Sequence, residues 1–288
     1  MKRQVSWLAW LFYIIGALYF IVPLFGTAVF SLQKKRGELG LSAYQSAFAD
    51  PKFLETFLFS NIMAVFTILT SLLLIVPTAY WVHLRLPRWR SAVEFVTLMP
   101  FVIPAIVLVF GLIKMYSKPV TIFGVTVFPS LTTSNLSTNV LLILAYTVLA
   151  LPYMYRAVDN GLRAMDVRNL TEAAQSLGAG WGTILWRIIM PNLRSALLSG
   201  ALLTFAIVVG ELTIASFLAR PAFGPYLALL GNHKAYEPAA LTIVTFALTW
   251  VAMGLIDLVT RGSKGSTCLL YTSPSPRDRT RSRMPSSA

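Results

Sequence analysis

Very few residues of the 288-residue chain have the chemistry and spacing of an active site. Cys268 is the single cysteine, which excludes an intramolecular disulfide and a cysteine-rich metal cluster. The two histidines, His83 and His233, lie far apart in different loops, and no H-E-x-x-H pattern is present. Glu211 interrupts the otherwise uncharged run 195–219. These residues favour a solute pathway over catalysis, because an ionisable group inside a membrane span is costly and often faces such a pathway. The alternative role for Glu211 is an ion pair with a basic group on a neighbouring helix or on another subunit.

Nucleotide chemistry is also missing from the sequence. No G-x-x-x-x-G-K-[ST] phosphate loop occurs in it. The stretch 178–182 is glycine-rich, but it lacks the lysine and follows a predicted helix. We therefore predict that the chain binds no nucleotide and no other cofactor or metal by itself.

The polar segment 156–194 is longer and more organised than the other polar stretches of the chain. Within it, residues 171–178 predict a short helix. Thr171 suits the N-cap, Glu172 places negative charge at the positive end of the helix, and Gly178 can adopt the left-handed conformation that ends it.

The surfaces of this segment suggest a contact with a partner. Ala173 and Ala174 give the short helix a thin profile that another surface can approach closely. An apolar face follows and ends at Pro191. It packs against the membrane interface or the chain's own bundle, or it supports a docking element for another subunit, and the pattern leaves both open. Its members are Trp181, Ile184, Leu185, Ile188 and Ile189.

The composition identifies the class of protein. Hydrophobic residues make up 56% of the chain and charged residues 12%, with a mean hydropathy of +0.69, whereas about a quarter of residues are charged in soluble proteins. This excludes a disordered chain, a disulfide scaffold and a water-soluble α/β enzyme. The formal charge of +13 is spread over loops and a terminal tail, so it does not predict nucleic-acid binding.

Long runs without charge predict the membrane spans. A helix needs about 20 residues to cross a hydrocarbon core of about 30 Å. The sequence therefore predicts an all-α polytopic membrane protein with six transmembrane helices, the organised loop lying between spans four and five. The predicted spans are 7–31, 57–82, 94–114, 139–157, 195–219 and 238–260.

Basic residues predict the orientation. With both ends in the cytoplasm, twelve Lys and Arg residues lie inside and eight outside, leaving out the end of the chain. This bias follows the positive-inside rule. We expect a multi-pass protein of the cytoplasmic (inner) membrane of a prokaryote.

The end of the chain differs in composition from the rest. Residues 266–288 are rich in Ser, Thr, Pro and Arg and show no apolar period. We predict a disordered tail of non-native origin, such as translated read-through. The alternative is a basic tail that binds anionic lipid.

Two prolines stand out in span three. Pro100 and Pro104 lie four residues apart, and each removes a backbone hydrogen bond. They predict a kinked helix that lines a pathway, or they are ordinary prolines, which membrane helices carry more often than soluble ones. Glu94, at the start of the same span, is predicted to be an interfacial cap.

Seven positions over twenty residues of the organised loop resemble the "EAA" loop of the permease subunits of binding-protein-dependent ABC importers. Met190 replaces the leucine of the usual Leu-Pro ending. The stretches 99–104 and 210–211 also resemble the polyamine, iron and thiamine branch of these permeases. The matching positions of the loop are Glu172, Ala173, Ala174, Gly178, Ile188, Met190 and Pro191.

The resemblance implies that residues 1–265 form the transmembrane domain of an importer. The EAA helix would be a coupling helix seated on a dimer of a cytoplasmic ABC ATPase, which holds ATP and Mg²⁺. Further partners would be a second permease subunit (a sister chain or a second copy), an extracytoplasmic solute-binding protein and membrane lipid.

The implied substrate is a polyamine such as spermidine or putrescine, which suits an acidic pathway residue such as Glu211. Iron, thiamine and aminoalkylphosphonate are the alternatives within the resemblance. A membrane-embedded enzyme and an ATPase-independent channel are the rival classes, and neither explains the EAA spacing.

Overall fold

The computed structural model describes residues 7–35, 38–122 and 125–262, which are mainly helical. The predicted tail, 266–288, lies outside these residues. Most of the helices are long and apolar. Their bounds are α1 Trp7–Ser31, α2 Ser42–Ala49, α3 Pro51–Arg85, α4 Arg90–Val102, α5 Ala105–Tyr116, α6 Asn135–Arg163, α7 Val167–Ser176, α8 Trp181–Thr183, α9 Met190–Gly210, α10 Thr213–Phe217, α11 Phe223–His233 and α12 Glu237–Gly262.

Two short antiparallel hairpins interrupt the helical pattern, and the sequence interpretation did not foresee them. One pairs β1, Gln33–Lys35, with β2, Glu38–Leu39. The other pairs β3, Val120–Ile122, with β4, Val125–Phe128, and places Thr121 opposite Thr126. Both lie in segments predicted to be loops on the outer side.

The helices α3, α6 and α9 form the centre of the bundle. One core cluster joins their ends near α7 and includes Tyr80, Met154 and Leu193. A second cluster joins the other half of the bundle with α5 and α10, and it includes Ala145 and Val208. The bundle therefore has one core at the α7 end and another around the break after α9.

Glycines let α6 and α9 approach closely. A Cβ atom on Gly161 would lie 2.6 Å from Leu193 Cδ2, and one on Gly200 would lie 2.7 Å from Met154 Sδ. Small residues allow such close packing between membrane helices. Gly161 therefore serves helix packing within α6, which continues past it to Arg163.

Four described helices are long and apolar enough to span a membrane, or five when the bent pair that contains α4 and α5 counts as one span. The four are α1, α3, α6 and the continuous helix formed by α8, α9 and the segment between them. Helix α12 is apolar over Glu237–Val251. Helix α1 has the predicted bounds of span one, and its apolar side chains are mostly exposed.

The predicted third span consists of two helices with a sharp bend between them, which agrees with the kinked-helix interpretation of its prolines. Helix α4 ends at Val102, α5 begins at Ala105, and the two helical segments are bent by 98°. Ile103 is extended, with φ −86° and ψ 116°, because a residue before proline is driven out of the helical region. Pro104 therefore forms a corner, whereas Pro100 lies inside α4 without ending it.

The prediction that span five runs to Ala219 is wrong. Helix α9 ends at Gly210, Glu211 is extended with φ −74° and ψ 128°, and the short helix α10 starts at Thr213. The bound at the other end differs too, because the helix begins at Trp181 rather than at residue 195.

Candidate functional site

Helix α7, Val167–Ser176, occupies the predicted EAA segment but starts earlier than predicted. Asp166 is its N-cap, and the Asp166 Oδ1 accepts a hydrogen bond from the Asn169 N–H at 3.1 Å. Thr171, the predicted N-cap, lies inside the helix. Asp is the stronger N-cap residue of the two, which explains the earlier start.

A buried stripe attaches α7 to the bundle. Val167, Thr171 and Ala174 are buried and lie on one face of α7 at spacings of four and three residues. The Thr171 hydroxyl donates to the Val167 carbonyl at 2.7 Å. The Tyr80 hydroxyl of α3 lies 3.0 Å from Thr171 Oγ1 and can donate to it. This buried contact joins the short helix to a predicted membrane span.

Gly178 ends the short helix as predicted, with φ +78°. The Gly178 N–H donates to the Gln175 carbonyl at 2.9 Å, and the Ala179 N–H donates to the Ala174 carbonyl at 3.0 Å. This pair of bonds is the Schellman motif, which requires a left-handed residue at this position. The chain can therefore turn sharply into α8.

The outer face of α7 is polar except at its end. Glu172 is exposed and accepts a hydrogen bond from Arg168 Nε at 2.8 Å. This hydrogen bond and the carboxylate charge raise the pKa of the Arg168 guanidinium above its ordinary value. Ala173 is exposed, whereas Ala174 faces the bundle. Only the first of the two alanines is therefore open to a partner.

Leu177 is the most unusual residue of this face. Its side chain is 89% exposed at the end of α7. It follows the helix and precedes Gly178, so it lies at the tip of the whole element. Its position leaves the side chain open to contact with a partner.

The apolar face that follows α7 packs on the chain's own bundle. Ile184 and Ile189 are fully buried in the core that contains Tyr80, and Ile188 packs against this core. The Trp181 ring stacks on Trp81 of α3 at 5.0 Å. The structure therefore shows this face packed against the chain's own bundle, one of the arrangements that the sequence left open. This packing also fixes the position of α7.

The helix that carries this apolar face continues past Pro191. It continues from Trp181 to Gly210 through the segment Ile184–Ile189, which has π-helical hydrogen bonding. A proline in a helix removes one hydrogen bond, and its ring collides with the carbonyl four residues earlier. The wider π turn just before Pro191 accommodates this ring without ending the helix.

A buried carboxylate beside α7 joins three helices. Asp159 of α6 is 1% exposed, and its Oδ1 lies 2.8 Å from His83 Nε2 of α3. The Arg90 guanidinium of α4 donates to the same oxygen at 2.9 Å, and the Arg163 Nε donates to Oδ2 at 2.8 Å. Arg163 also donates to Glu94 Oε1 at 2.7 Å. A buried acid needs such partners, and here α3 and α4 each supply one beside Arg163 of α6 itself.

This cluster changes the interpretation of Glu94. Its place at the start of span three predicts an interfacial cap, but Trp89 is the N-cap position of α4. The Glu94 carboxylate instead links α4 to the end of α6 through Arg163. Its role is an interhelical ion pair.

Glu211 lies at the break between α9 and α10. Its carboxylate accepts hydrogen bonds from the Ile214 N–H at 2.9 and 3.0 Å and from the Ala215 N–H at 3.2 Å. The buried Tyr146 hydroxyl of α6 lies near this carboxylate without a hydrogen bond of good geometry. The Glu211 side chain therefore caps the short helix, an arrangement that the sequence pattern around it did not predict.

A cavity of about 590 Å³ lies beside this break, between α9, α11 and α12. Gly210 and Leu212, on either side of Glu211, line it. Gly224 of α11 packs against the broken segment so closely that a Cβ atom would collide with the Glu211 carbonyl. Hydroxyl groups from α12 also line the cavity, and they belong to Thr242, Thr245 and Thr249.

The two broken spans meet through their second halves. Helix α5 follows Pro104, and α10 follows Glu211. The rings of Phe110 and Phe217 join these helices, with centroids 4.8 Å apart. The structure therefore brings the Pro104 corner and the Glu211 break into one region, away from α7. Among the described residues, no group of three or more His, Cys, Asp or Glu is placed to hold a metal ion.

Comparison with known proteins gives the family. Residues 71–264, about two thirds of the chain, match the family described as "binding-protein-dependent transport system inner membrane component". The chain belongs to this family. The resemblance inferred from the EAA pattern is thereby confirmed, and so is the expectation of a transport permease rather than an enzyme.

Known permeases with different substrates are similar to this chain. The spermidine/putrescine transport system permease protein PotC of Haemophilus influenzae is 32% identical over 124 residues, 42% of this chain and 48% of that protein. The molybdenum transport system permease protein ModB of Azotobacter vinelandii is 31% identical over 167 residues, 57% of this chain and 68% of that protein. The chain therefore spans about half the length of the PotC permease.

A solved transporter shares the fold. The structure of a bacterial ABC transporter involved in the import of the acidic polysaccharide alginate matches with a TM-score of 0.69 and 15% identity, and the match covers 90% of this chain and 96% of that chain. The two chains therefore share their overall fold.

Sequence reasoning missed two functional parts of this permease. Asp166 and Asn169 have the spacing of an N-cap, which was the available signal for the start of α7. Asp159 and Arg163 are spaced as an i,i+4 ion pair, which indicated a helix instead of a loop. No local sequence pattern indicated that His83 of α3 would contact Asp159.

Proposed function

We propose that this chain is the permease subunit of an ATP-driven ABC importer, with six spans and both ends in the cytoplasm. The four or five apolar spans of the structure, together with the apolar α12, support six crossings. The excess of basic residues in the segments between α3 and α4 and around α7 supports the orientation.

Helix α7 with its Gly178 turn is the proposed coupling helix for a cytoplasmic ATPase dimer. The observation that carries this proposal is a short helix with one face packed on the bundle and the other face exposed. Tyr80 and the buried stripe form the packed face, whereas Glu172, Ala173 and Leu177 are exposed. Ala174, Ile188 and Pro191 act by positioning this element on the bundle.

The proposed solute pathway passes the break at Glu211. The cavity beside this break supports the proposal, and it is lined by Gly210, Leu212 and the threonines of α12. Glu211 contributes by fixing the break, and Pro104 by turning α5 against α10. Pro100 shares the α4 helix that leads to this corner. A second permease subunit would close the open side of the cavity, and an extracytoplasmic binding protein would deliver the solute.

We propose a polyamine such as spermidine as the solute. The similarity to the PotC permease supports this substrate. A second candidate is molybdate, which the similarity to ModB supports. Two backbone N–H groups hold the Glu211 carboxylate at the break, so we assign it the role of a helix cap rather than that of a solute ligand.

Photo-crosslinking tests the coupling helix. The chain is expressed with p-benzoylphenylalanine in place of Leu177 in cells that carry its transport partners, and the cells are irradiated. We expect an adduct whose mass spectrum contains peptides of an ABC ATPase, because Leu177 lies at the tip of α7 with 89% of its side chain exposed.

The matched control is the same probe at Leu136, which is 77% exposed at the start of α6 on the predicted outer side. It should give no adduct with the ATPase. No ATPase adduct at Leu177, or equal adducts at both positions, would contradict the proposed coupling role.

A further inference from the structure

The ion-pair cluster around Asp159 is placed to connect the coupling helix with the bent span. Arg163 ends α6, and only residues 164–166 separate it from the start of α7. Because this connection is so short, a displacement of α7 acts directly on the end of α6.

Helix α4 is attached to the bundle by this cluster and by apolar contacts, since Val93 packs against the core near α7 and the Phe101 ring lies 5.1 Å from that of Tyr153 of α6. Of the described residues of α4, Thr97 is buried and the others are at least partly exposed. Its first turns carry Arg90, which donates to Asp159 at 2.9 and 3.2 Å, and Glu94, which accepts from Arg163 at 2.7 Å. Two charged contacts, Arg90 to Asp159 and Glu94 to Arg163, therefore join the first turns of α4 to α6 beside the apolar contact of Val93.

The other end of α4 leads into the pathway region. Pro104 forms the corner after α4, and α5 beyond it packs on α10 through Phe110 and Phe217. Helix α4 therefore links the ion pairs near α7 to the helices around the Glu211 break. A helix fixed at one end and hinged at the other can transmit a rigid-body movement.

We propose that Glu94 and Arg163 are positioning residues that pass the movement of α7 to α4 and so to the solute pathway. This inference rests on the proposed coupling role of α7. Asp159 organises the joint by holding both arginines and His83. The Glu94–Arg163 pair is the more exposed of the two charged contacts between α4 and α6, and its loss leaves the buried Asp159 with its three partners.

Spin-label distances in the assembled complex with its ATPase test the proposal. All variants carry Cys268→Ser, so that only introduced cysteines are labelled. One label pair, at Val96 and Leu144, reports α4 against α6, and both side chains are exposed. A second pair, at Ser176 and Leu144, reports α7 against α6. Distances are measured with and without ATP plus vanadate.

We expect ATP to shift both distances in the parent complex. Glu94→Gln should keep the α7 shift but reduce the α4 shift to less than about half, the scale of effect known for residues that carry coupling. Glu94→Asp, which keeps the charge, should restore most of it. Lys234→Gln breaks a comparable ion pair with Glu237 at the other end of the molecule and should change neither shift.

The outcomes separate this proposal from the coupling role itself. An unchanged α4 shift in Glu94→Gln, or an equal loss of both shifts, would overturn the positioning role. If the parent complex shows no ATP-dependent α7 shift and no Leu177 adduct, the coupling role fails first. Co-purification of the ATPase and the unfolding temperature are measured for each variant, and a loss of either in Glu94→Gln would also overturn it.

Discussion

Gly178 is the residue at which backbone conformation alone limits substitution. Its φ of +78° lies in the left-handed region, and no atom lies within 4 Å of the position a Cβ would take. An alanine would therefore suffer conformational strain without a collision. The strain acts at the turn that presents Leu177, so it reaches the proposed ATPase surface.

We predict that Gly178→Ala destabilises the permease by about 1–2 kcal/mol, the cost of a left-handed conformation for a residue with a Cβ. Gly178→Asn should lose less, since asparagine tolerates this region. Thermal unfolding in detergent and co-purification of the ATPase measure both effects.

Gly182 provides the matched control, because it also has open space around its Cβ position but lies in the helix with ordinary φ. Gly182→Ala should be neutral or stabilising by up to about 1 kcal/mol. Equal unfolding temperatures for Gly178→Ala and Gly182→Ala would contradict the conformational argument.

Helix α7 is a short element whose stability depends on its attachment. Ten residues are too few for a stable isolated helix in water. The Asp166 cap, the Schellman turn and the buried stripe supply the missing stability. The Tyr80–Thr171 contact adds a polar bond at a defined point, so it fixes the register of α7 on α3.

We predict that Thr171→Val, which keeps the shape of the side chain, costs about 1–3 kcal/mol because it leaves the Tyr80 hydroxyl buried without its partner. Tyr80→Phe should cost less, and the double variant Tyr80→Phe/Thr171→Val should cost less than the sum of the two. Unfolding temperatures of the four proteins form the double-mutant cycle. Additive losses would show that the two hydroxyls do not interact.

The whole molecule carries its two proposed activities at opposite ends of the α3–α6–α9 bundle. The core near α7 contains Tyr80 and Leu193, and the core near the break contains Ala145 and Ile214. Long helices run through both cores, so the ends are mechanically connected. A transport assay therefore tests both ends of the bundle together. The unfolding temperature of a variant instead reports the effect at the end that carries the substitution.

We predict ATP-dependent uptake of radiolabelled spermidine by the permease reconstituted with its ATPase, partner permease and binding protein. Unlabelled putrescine should compete with it, and molybdate should not. Glu211→Gln should lower stability by about 1 kcal/mol through a weaker helix cap, while uptake per assembled complex is retained.

Competition by molybdate but not by putrescine would favour the second substrate candidate. Loss of uptake at unchanged stability in Glu211→Gln would instead place the carboxylate in contact with the solute. Gln at an exposed acid of α3, Glu55→Gln, controls for the loss of one negative charge.

Local patterns determined much of what the sequence could reveal. Apolar runs gave the position of the long helices, including Trp7–Ser31 with its predicted bounds. The spacing from Glu172 to Pro191 identified the family, because a motif of fixed spacing is written in the chain itself. Gly178 was predictable as a left-handed stop for the same reason.

The tertiary structure decided how the helices break and which charges meet. Glu211 ends α9 because its carboxylate finds the N–H groups of α10 and because Gly224 makes room for the extended segment, and hydropathy records neither contact. Asp159 is buried because His83 and Arg90 reach it from helices about 70 residues away in the chain. Composition and periodicity indicate that a charge in an apolar run is costly to bury. Only the packing of distant helices supplies the partners that offset this cost.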